Sequence, residues 1–299
     1  MNEQALKNRL QVIAGEKGIR FNACWKKLLL ERFLWRLSRS THSEKFIFKG
    51  GFLLGYLMEI GRETIDLDFL LTRMKSSEGE IEKAVAEVSR VKSMDGFSFH
   101  YESIRPLEQP HMKYPGYRIR LEAKFGRMKD RIHIDVGTGD IVNPAGYVLN
   151  LFHYRDKPLF ESQISLLVYP PEAIFAEKLE TVLSKGATNS RMKDYHDLVL
   201  LTRDSRLIDF NKLHEAIKKT FHHRGTAFER ISFRQEDLKP LNRLWIAHLN
   251  NLGSTRETLD LPENIQDVIA EINTGLAGII QVGLRGVTDK KAYHMNLSE

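Results

Sequence analysis

"FKGGFLLGYLMEIGRETIDLDFLL", residues 48–71, places a glycine pair and two aspartates within an otherwise apolar stretch. Residues 64–71 alternate with the period of a β-strand, which predicts that Asp66 and Asp68 share one face and that the apolar residues from Ile65 to Leu71 share the other. Two neighbouring carboxylates repel each other, so they need a positive partner. A divalent cation such as Mg²⁺, bound through oxygen, would be such a partner. The alternatives are that both carboxylates are exposed to solvent on an edge strand, or that one of them forms an ion pair with Arg62.

A third carboxylate follows on a second alternating segment, residues 131–137. Ile132, Ile134 and Val136 are predicted to face the core, and Asp135 the opposite side together with His133. If this strand lies beside residues 64–71, the three carboxylates meet on one face and form what a two-metal site for phosphoryl transfer requires. Spacing alone does not show that the strands are neighbours, so the three-carboxylate site is a hypothesis.

The glycine pair predicts a phosphate-binding turn. Lys49-Gly50-Gly51 lies between a short apolar strand, residues 46–48, and a predicted helix, residues 52–60. Glycine lets backbone N–H groups come close to phosphate oxygens, and the N-terminus of the following helix favours negative charge. A plain turn has the same sequence, but the position just before a helix and 15 residues ahead of Asp66 favours a cradle for a triphosphate.

Composition sets the class of protein. The chain has 299 residues, 42% of them hydrophobic, and a net charge of +6, which is typical of a globular protein with a mild preference for polyanions. The single cysteine, Cys24, excludes an internal disulfide and fits a reducing compartment. Charged residues interrupt the apolar residues of segment 1–20, so it lacks the uninterrupted hydrophobic region of a secretory signal. No segment reaches the roughly 20 apolar residues of a membrane span. We therefore expect a cytoplasmic protein that does not contact a membrane.

Hydrophobic periodicity divides the chain into a mixed part and a helical part. An α+β fold is predicted, in which a mixed β-sheet flanked by helices occupies residues 1–168 and a helical C-terminal domain occupies residues 169–299. The predicted elements of the first part are helices 2–16, 22–39, 52–60 and 78–91 and strands 46–48, 64–71, 97–103, 117–125, 131–136 and 164–169. Those of the second part are helices 171–185, 191–203, 208–220, 235–251 and 262–281.

Short motifs in this order resemble those of a known family. Lys49-Gly50-Gly51 and Arg62–Asp68 resemble the opening motif of the DNA-polymerase-β-like nucleotidyltransferase superfamily. Ala176–Leu179 and Arg191–Leu198 resemble the third and fourth motifs of the AbiEii/AbiGii toxins, nucleotidyltransferases of type IV toxin–antitoxin and abortive-infection systems. The resemblance covers residues 45–203. Some members carry Gly-Ser where this chain has Gly50-Gly51, so no role of that serine carries over.

The resemblance implies roles for the residues that match. Asp66, Asp68 and Asp135 would bind metal, two Mg²⁺ ions or Mn²⁺ in their place, and Lys178 and Asp194 would complete the catalytic set. Lys49, Gly50, Gly51 and Lys178 would bind the nucleotide. From the residues alone, Lys178 fits a lysine that covers apolar surface, and Asp194 and Asp197 fit salt bridges within a helix. With the family in view, Asp194 is expected to pair with Lys178 or with the substrate, and Asp197 to be structural support.

The expected reaction transfers a nucleoside monophosphate from an NTP to an acceptor hydroxyl, with Asp135 assisting as general base. Related toxins act on the 3′ end of tRNA, and Arg118, Arg120 and Lys124 alternate onto one strand face that would suit an RNA backbone. The same residues also fit a solvated sheet edge. A protein or small-molecule acceptor, a metal-dependent nuclease, and a silent nucleic-acid- or partner-binding module remain open. A cognate antitoxin would be the implied partner.

Overall fold

A computed structural model describes residues 1–107, 116–253 and 255–277. By its internal contacts the chain divides into two compact units. The first combines Met1–Glu59 with Glu63–Pro170, and the second combines Ile60–Arg62 with the chain from Pro171 onward. The predicted domain limits at residues 168 and 169 stay a prediction, since compactness does not establish independent folding.

The first unit is built on a mixed seven-stranded sheet in the order β3-β4-β5-β2-β1-β9-β6. The β2–β5 and β1–β9 pairs are parallel and the other pairs are antiparallel. β7 and β8 form a separate small hairpin. The strands are β1 Phe46–Lys49, β2 Asp66–Leu71, β3 Phe97–Leu107, β4 Gly116–Phe125, β5 Met128–Gly137, β6 Ala145–Asn150, β7 His153–Tyr154, β8 Lys157–Pro158 and β9 Gln163–Val168.

One face of this sheet is apolar and packs on helices. Leu67 lies in register with Ile134, and Ile134 lies in register with Ile119, and all three side chains are fully buried. Burying such a side chain stabilises the fold by about 1.5–3 kcal/mol. α2 packs against β5 and β9, and α4 packs against β3. The helices of the first unit are α1 Glu3–Glu16, α2 Phe21–Ser38, α3 Gly50–Leu57 and α4 Glu78–Ser89.

The second unit is helical in its described residues. Its helices are α5 Pro171–Lys185, α6 Met192–Arg203, α7 Phe210–Arg224, α8 Gln235–Asn251, α9 Thr255–Leu259 and α10 Ile265–Gly275. Tyr195, Leu198 and Trp245 are fully buried in this unit. The Trp245 indole donates a hydrogen bond of 2.8 Å to the carbonyl of Pro262, so its one polar atom is satisfied. None of the helices in the described ranges is long and apolar enough to cross a membrane.

The α+β fold class is confirmed, and several element predictions need correction. The helix predicted over 52–60 begins at Gly50 and ends at Leu57. The strand predicted from Thr64 begins at Asp66, and Ile65, predicted to face the core, is 51% exposed. β6, β7, β8 and α9 were not predicted. The helix predicted over 262–281 covers Ile265–Gly275, and residues 278–281 lie outside the described residues.

Candidate active site

The parallel pairing of β2 with β5 places the three predicted carboxylates on one face. Asp68 lies in register with Asp135, and Asp66 lies in register with His133. Neighbouring strands are about 4.8 Å apart and residues two apart share a face, so Asp66, Asp68 and Asp135 adjoin one another. The hypothesis that these strands are neighbours is confirmed by the pairing, whereas the roles of the three side chains stay predictions.

The glycine turn lies against this carboxylate group. Lys49, the last residue of β1, lies in register with Asp68, and α3 begins at Gly50. Gly50 has a φ of +79°, and a Cβ atom built there would lie 2.1 Å from Asp68 Oδ2 and 2.6 Å from Asp68 Cβ. Only glycine fits this position, because a side chain would meet both backbone strain and Asp68. The side chain of Lys49, the N-cap residue of α3, makes no capping hydrogen bond, and the N-terminus of a helix favours an anion.

A buried carboxylate holds α3 in place. Glu31 of α2 accepts a hydrogen bond of 2.7 Å from the Tyr56 hydroxyl at the end of α3 and one of 2.9 Å from the backbone N–H of Phe152. Burial raises the pKa of Glu31, and the nearby Lys27 counteracts that effect. The contact fixes the helix from which the glycine turn extends.

Arg118 occupies the edge of the carboxylate group. Its Nε and Nη2 each donate a hydrogen bond of 2.7 Å to one oxygen of Asp135, and Nη2 lies 3.9 Å from Asp66 Oδ2. The hydrogen bonds from Arg118 to Asp135 raise the pKa of the guanidinium, which is therefore always charged. Sequence reasoning assigned Arg118 to RNA. The missed signal is the two-residue turn after Phe125, which pairs Phe125 with Met128. In an antiparallel pair this register places Arg118 opposite Asp135.

The carboxylate oxygens differ in their hydrogen bonding. Asp66 Oδ1 is buried and accepts no hydrogen bond from a described residue, and His133 Nδ1 lies 3.4 Å from it. Burying a carboxylate oxygen without a hydrogen bond costs free energy unless a bound group pairs with it. Among the described residues, no three His, Cys, Asp or Glu side chains are arranged so that they could coordinate one metal ion. In the same arrangement Arg118 takes both oxygens of Asp135.

Sequence reasoning also missed residues that contact Lys49. The Lys49 Nζ lies 3.4 Å from Asp140 Oδ2 and 4.5 Å from the centre of the Tyr169 ring. Asp140 follows the end of β5 and Tyr169 follows the end of β9. Asp140 lies outside the predicted strands and Tyr169 ends the strand predicted over 164–169. The available signal was their position at or just beyond a strand end, where functional loops occur.

The three residues predicted to bind RNA share the polar face of β4, and each is already paired with an acidic residue. Arg120 contacts Glu102 at 2.6 Å, and Lys124 contacts Glu122 at 2.6 Å, while Arg118 contacts Asp135. Arg105 of β3, also missed from the sequence, lies in register with Arg118 and makes no ion pair with a described residue. The strip is thus a mosaic of both charges and not a purely basic surface.

The second unit contains a buried charge cluster from the two C-terminal motifs. Lys178 Nζ lies 2.9 Å from Asp194 Oδ1 and 2.7 Å from Asp197 Oδ2, and Arg62 donates hydrogen bonds of 3.0 and 2.7 Å to Asp197. Arg191 contacts Asp194 at 2.6 Å. Lys178 therefore ends in buried ion pairs, not in solvent.

These contacts set the protonation of the cluster. Burial alone would lower the pKa of Lys178, but Asp194 and Asp197 outweigh burial and raise it. Burial alone would raise the pKa of Asp197, but Lys178 and Arg62 lower it well below its usual range. The pKa of Asp194 is lowered in the same way by Lys178 and Arg191. All of these groups are charged at neutral pH.

The chain is similar to a known protein family and to solved structures of other proteins. The family described as "Nucleotidyl transferase AbiEii toxin, Type IV TA system" matches residues 32–271. A candidate nucleotidyltransferase from H. pylori has a similar structure, with a TM-score of 0.49 and 13% identity over 88% of this chain and 96% of that chain. JHP933 from Helicobacter pylori is also similar, with a TM-score of 0.47 and 14% identity over 91% of this chain and 98% of that chain. No curated protein matches the chain. Because the family match covers most of the sequence, the chain belongs to the AbiEii nucleotidyltransferase toxin family of type IV toxin–antitoxin systems.

Proposed function

We propose that this protein transfers a nucleoside monophosphate from an NTP to the hydroxyl at the 3′ end of a tRNA and thereby blocks translation. Family membership supplies the reaction class. The acceptor, the two metal ions and the individual residue roles are the proposal. A cognate antitoxin as partner and a location in the cytoplasm are part of it.

The observation that carries the proposal is the carboxylate group beside the glycine turn. Asp68 and Asp135 are in register, Asp66 Oδ1 is a buried acceptor lacking a hydrogen bond from a described residue, and Gly50 admits no side chain. Oxygen ligands of this kind suit Mg²⁺ or Mn²⁺, so Asp66, Asp68 and Asp135 would hold the ions. When bound, the ions would neutralise phosphate charge and lower the pKa of the acceptor hydroxyl.

The chain's own groups would divide the remaining work. The N–H groups at the start of α3, with Lys49 beside them, would bind the triphosphate. The acceptor oxygen forms a bond to the α-phosphorus, the bond from that phosphorus to the bridging oxygen breaks, and pyrophosphate leaves. The hydroxyl proton would pass to the Asp135 carboxylate. On the motif match, Lys178 and Asp194 would belong to the catalytic set, and Asp194 would orient the Lys178 ammonium through their ion pair.

The polar face of β4 would bind the RNA backbone. Arg118, Arg120 and Lys124 project from the same face as Asp135, and Arg105 extends the row on β3. Phosphate groups would replace Glu102 and Glu122 as partners of these cations, which makes binding dependent on salt. The acidic partners Glu102 and Glu122 reduce the positive charge of this face and so weaken its non-specific attraction for polyanions.

The test is transfer of label from each of four α-labelled NTPs to purified tRNA, with the wild type, Asp66→Asn and Asp135→Asn. Glu80→Gln, an exposed position on α4, serves as the matched control. The proposal predicts that wild type and Glu80→Gln label the tRNA 3′ end and that both aspartate variants lose at least about a hundredfold in rate. Label on protein or on a small molecule refutes the tRNA acceptor, shortened RNA indicates a nuclease, and absence of any transfer indicates a silent binding module.

A further inference from the structure

We infer that Arg118 is a positioning residue whose guanidinium holds Asp135 and must be displaced by a divalent cation, so that Arg118 sets the metal affinity of the site. The inference rests on the proposed function, because it assumes that Asp66, Asp68 and Asp135 bind the cation. It changes the role expected for Arg118, from a contact with RNA alone to a competitor for the metal ligands.

The geometry places Arg118 in direct competition with a cation. Its two hydrogen bonds of 2.7 Å occupy both oxygens of Asp135, and its Nη2 reaches to 3.9 Å from Asp66 Oδ2. A cation that coordinates Asp135 and Asp66 needs the side of these carboxylates on which the guanidinium lies. A positive charge this close also repels a divalent cation.

The two partners differ in their freedom to move. The side chain of Arg118 is 46% exposed, whereas that of Asp135 is 18% exposed. The guanidinium can therefore swing into solvent without opening the core, while the carboxylate stays in place on β5.

The neighbour of Arg118 indicates where the guanidinium goes after displacement. Arg105 lies directly opposite Arg118 across the β3–β4 pair and makes no ion pair with a described residue. Like charges in this position destabilise a sheet, so Arg118 is favoured near an anion. When a cation has taken Asp135, a substrate phosphate is the anion that can replace it. Metal binding and phosphate binding are then coupled through one side chain, each strengthening the other.

The experiment measures the affinity of the full-length protein for Mn²⁺ by paramagnetic resonance of the free ion, with no nucleotide or RNA present. Arg118→Gln removes the competitor, and Arg118→Lys keeps the charge without the bidentate contact. Arg127→Gln is the matched control, since Arg127 is 96% exposed and its removal changes the net charge equally. Asp135→Asn removes the predicted ligand.

Arg118→Gln is expected to bind Mn²⁺ about tenfold more tightly than the wild type, which corresponds to ~1.4 kcal/mol. Arg118→Lys should fall between them, and Arg127→Gln should match the wild type because an exposed, distant charge is screened. A residue that merely supports the fold gives the opposite sign, weaker binding on removal. Circular dichroism verifies that each variant is folded.

The outcomes separate this inference from the proposed function. Mn²⁺ binding that Asp135→Asn loses, together with equal or weaker binding in both Arg118 variants, refutes the role of Arg118 and leaves the metal site standing. If neither the wild type nor Arg118→Gln binds Mn²⁺, the proposed metal site fails and this inference fails with it.

Discussion

Replacing Gly50 by alanine is expected to damage the carboxylate group through the backbone. Two effects add at this position. A side chain at φ +79° carries a strain of roughly 1–2 kcal/mol. The new Cβ would lie 2.6 Å from Asp68 Cβ, which is held by the β2 backbone and cannot rotate away, so overpacking adds about 1–3 kcal/mol. Together they lower the free energy of unfolding by about 2–5 kcal/mol.

The chain offers a control that separates these two effects. Gly18 has a similar φ of +62°, but a Cβ there meets nothing within 4 Å. Gly18→Ala should therefore lose only the strain, about 1–2 kcal/mol, and keep Mn²⁺ binding. Urea denaturation followed by circular dichroism measures both stabilities. If Gly50→Ala is no less stable than Gly18→Ala, or binds Mn²⁺ like the wild type, the close approach of the glycine turn to Asp68 is not as described.

Three further predictions concern other parts of the chain. Lys178→Met should lower the free energy of unfolding by about 3–5 kcal/mol in urea denaturation, because it leaves two buried aspartates without their shared cation. Lys178→Arg should recover part of this loss. His196 is fully buried, and burial lowers its pKa from 6.5 to about 4, so the unfolded chain takes up a proton first as the pH falls. The free energy of unfolding should therefore be unaffected above pH ~7 and decline by up to about 3 kcal/mol toward pH ~4. His196→Asn should flatten that decline, and an unchanged dependence of stability on pH in the variant would contradict the prediction. Lys124→Ala should weaken tRNA binding and reduce the slope of log affinity against log salt by about 0.7–1, and an unchanged slope would exclude a phosphate contact.

The alternation of apolar and polar residues predicted much of the sheet. It identified β2 and β5 and the face on which Asp66, Asp68 and Asp135 lie, because a half-buried strand forces period two on its sequence. The register between these strands was beyond the sequence pattern. β2 and β5 are parallel and far apart in the chain, so their alignment depends on the packing of everything between them.

The missed elements lack that signal. β6 covers Ala145–Asn150, and most of its residues are exposed. Because neither face of the strand is buried along its length, its sequence has no alternation of apolar and polar residues. Ile65 continued the alternation of β2 but lies before the strand begins, where no neighbouring strand buries it. Helix periodicity predicted the limits of α5 and α8, because each of these helices buries a continuous apolar stripe.

The side-chain chemistry of the site was the least predictable part. Alternation placed Arg118 on the polar face but did not reveal its two hydrogen bonds to Asp135. The close approach of Gly50 to Asp68 follows from how β1 meets β2, which no local pattern records. The family motifs indicated a contact between Lys178 and Asp194, and the structure shows it at 2.9 Å; its geometry depends on how α5 packs on α6.

Anomalous scattering from a crystal of the wild-type protein grown with Mn²⁺ and a non-hydrolysable NTP tests the central claim most directly. We expect at least one Mn²⁺ peak coordinated by Asp66, Asp68 and Asp135, with the triphosphate at the N-terminus of α3 and Arg118 turned away from Asp135. Mn²⁺ bound only at other side chains, with Arg118 still on Asp135 at a saturating metal concentration, would contradict it.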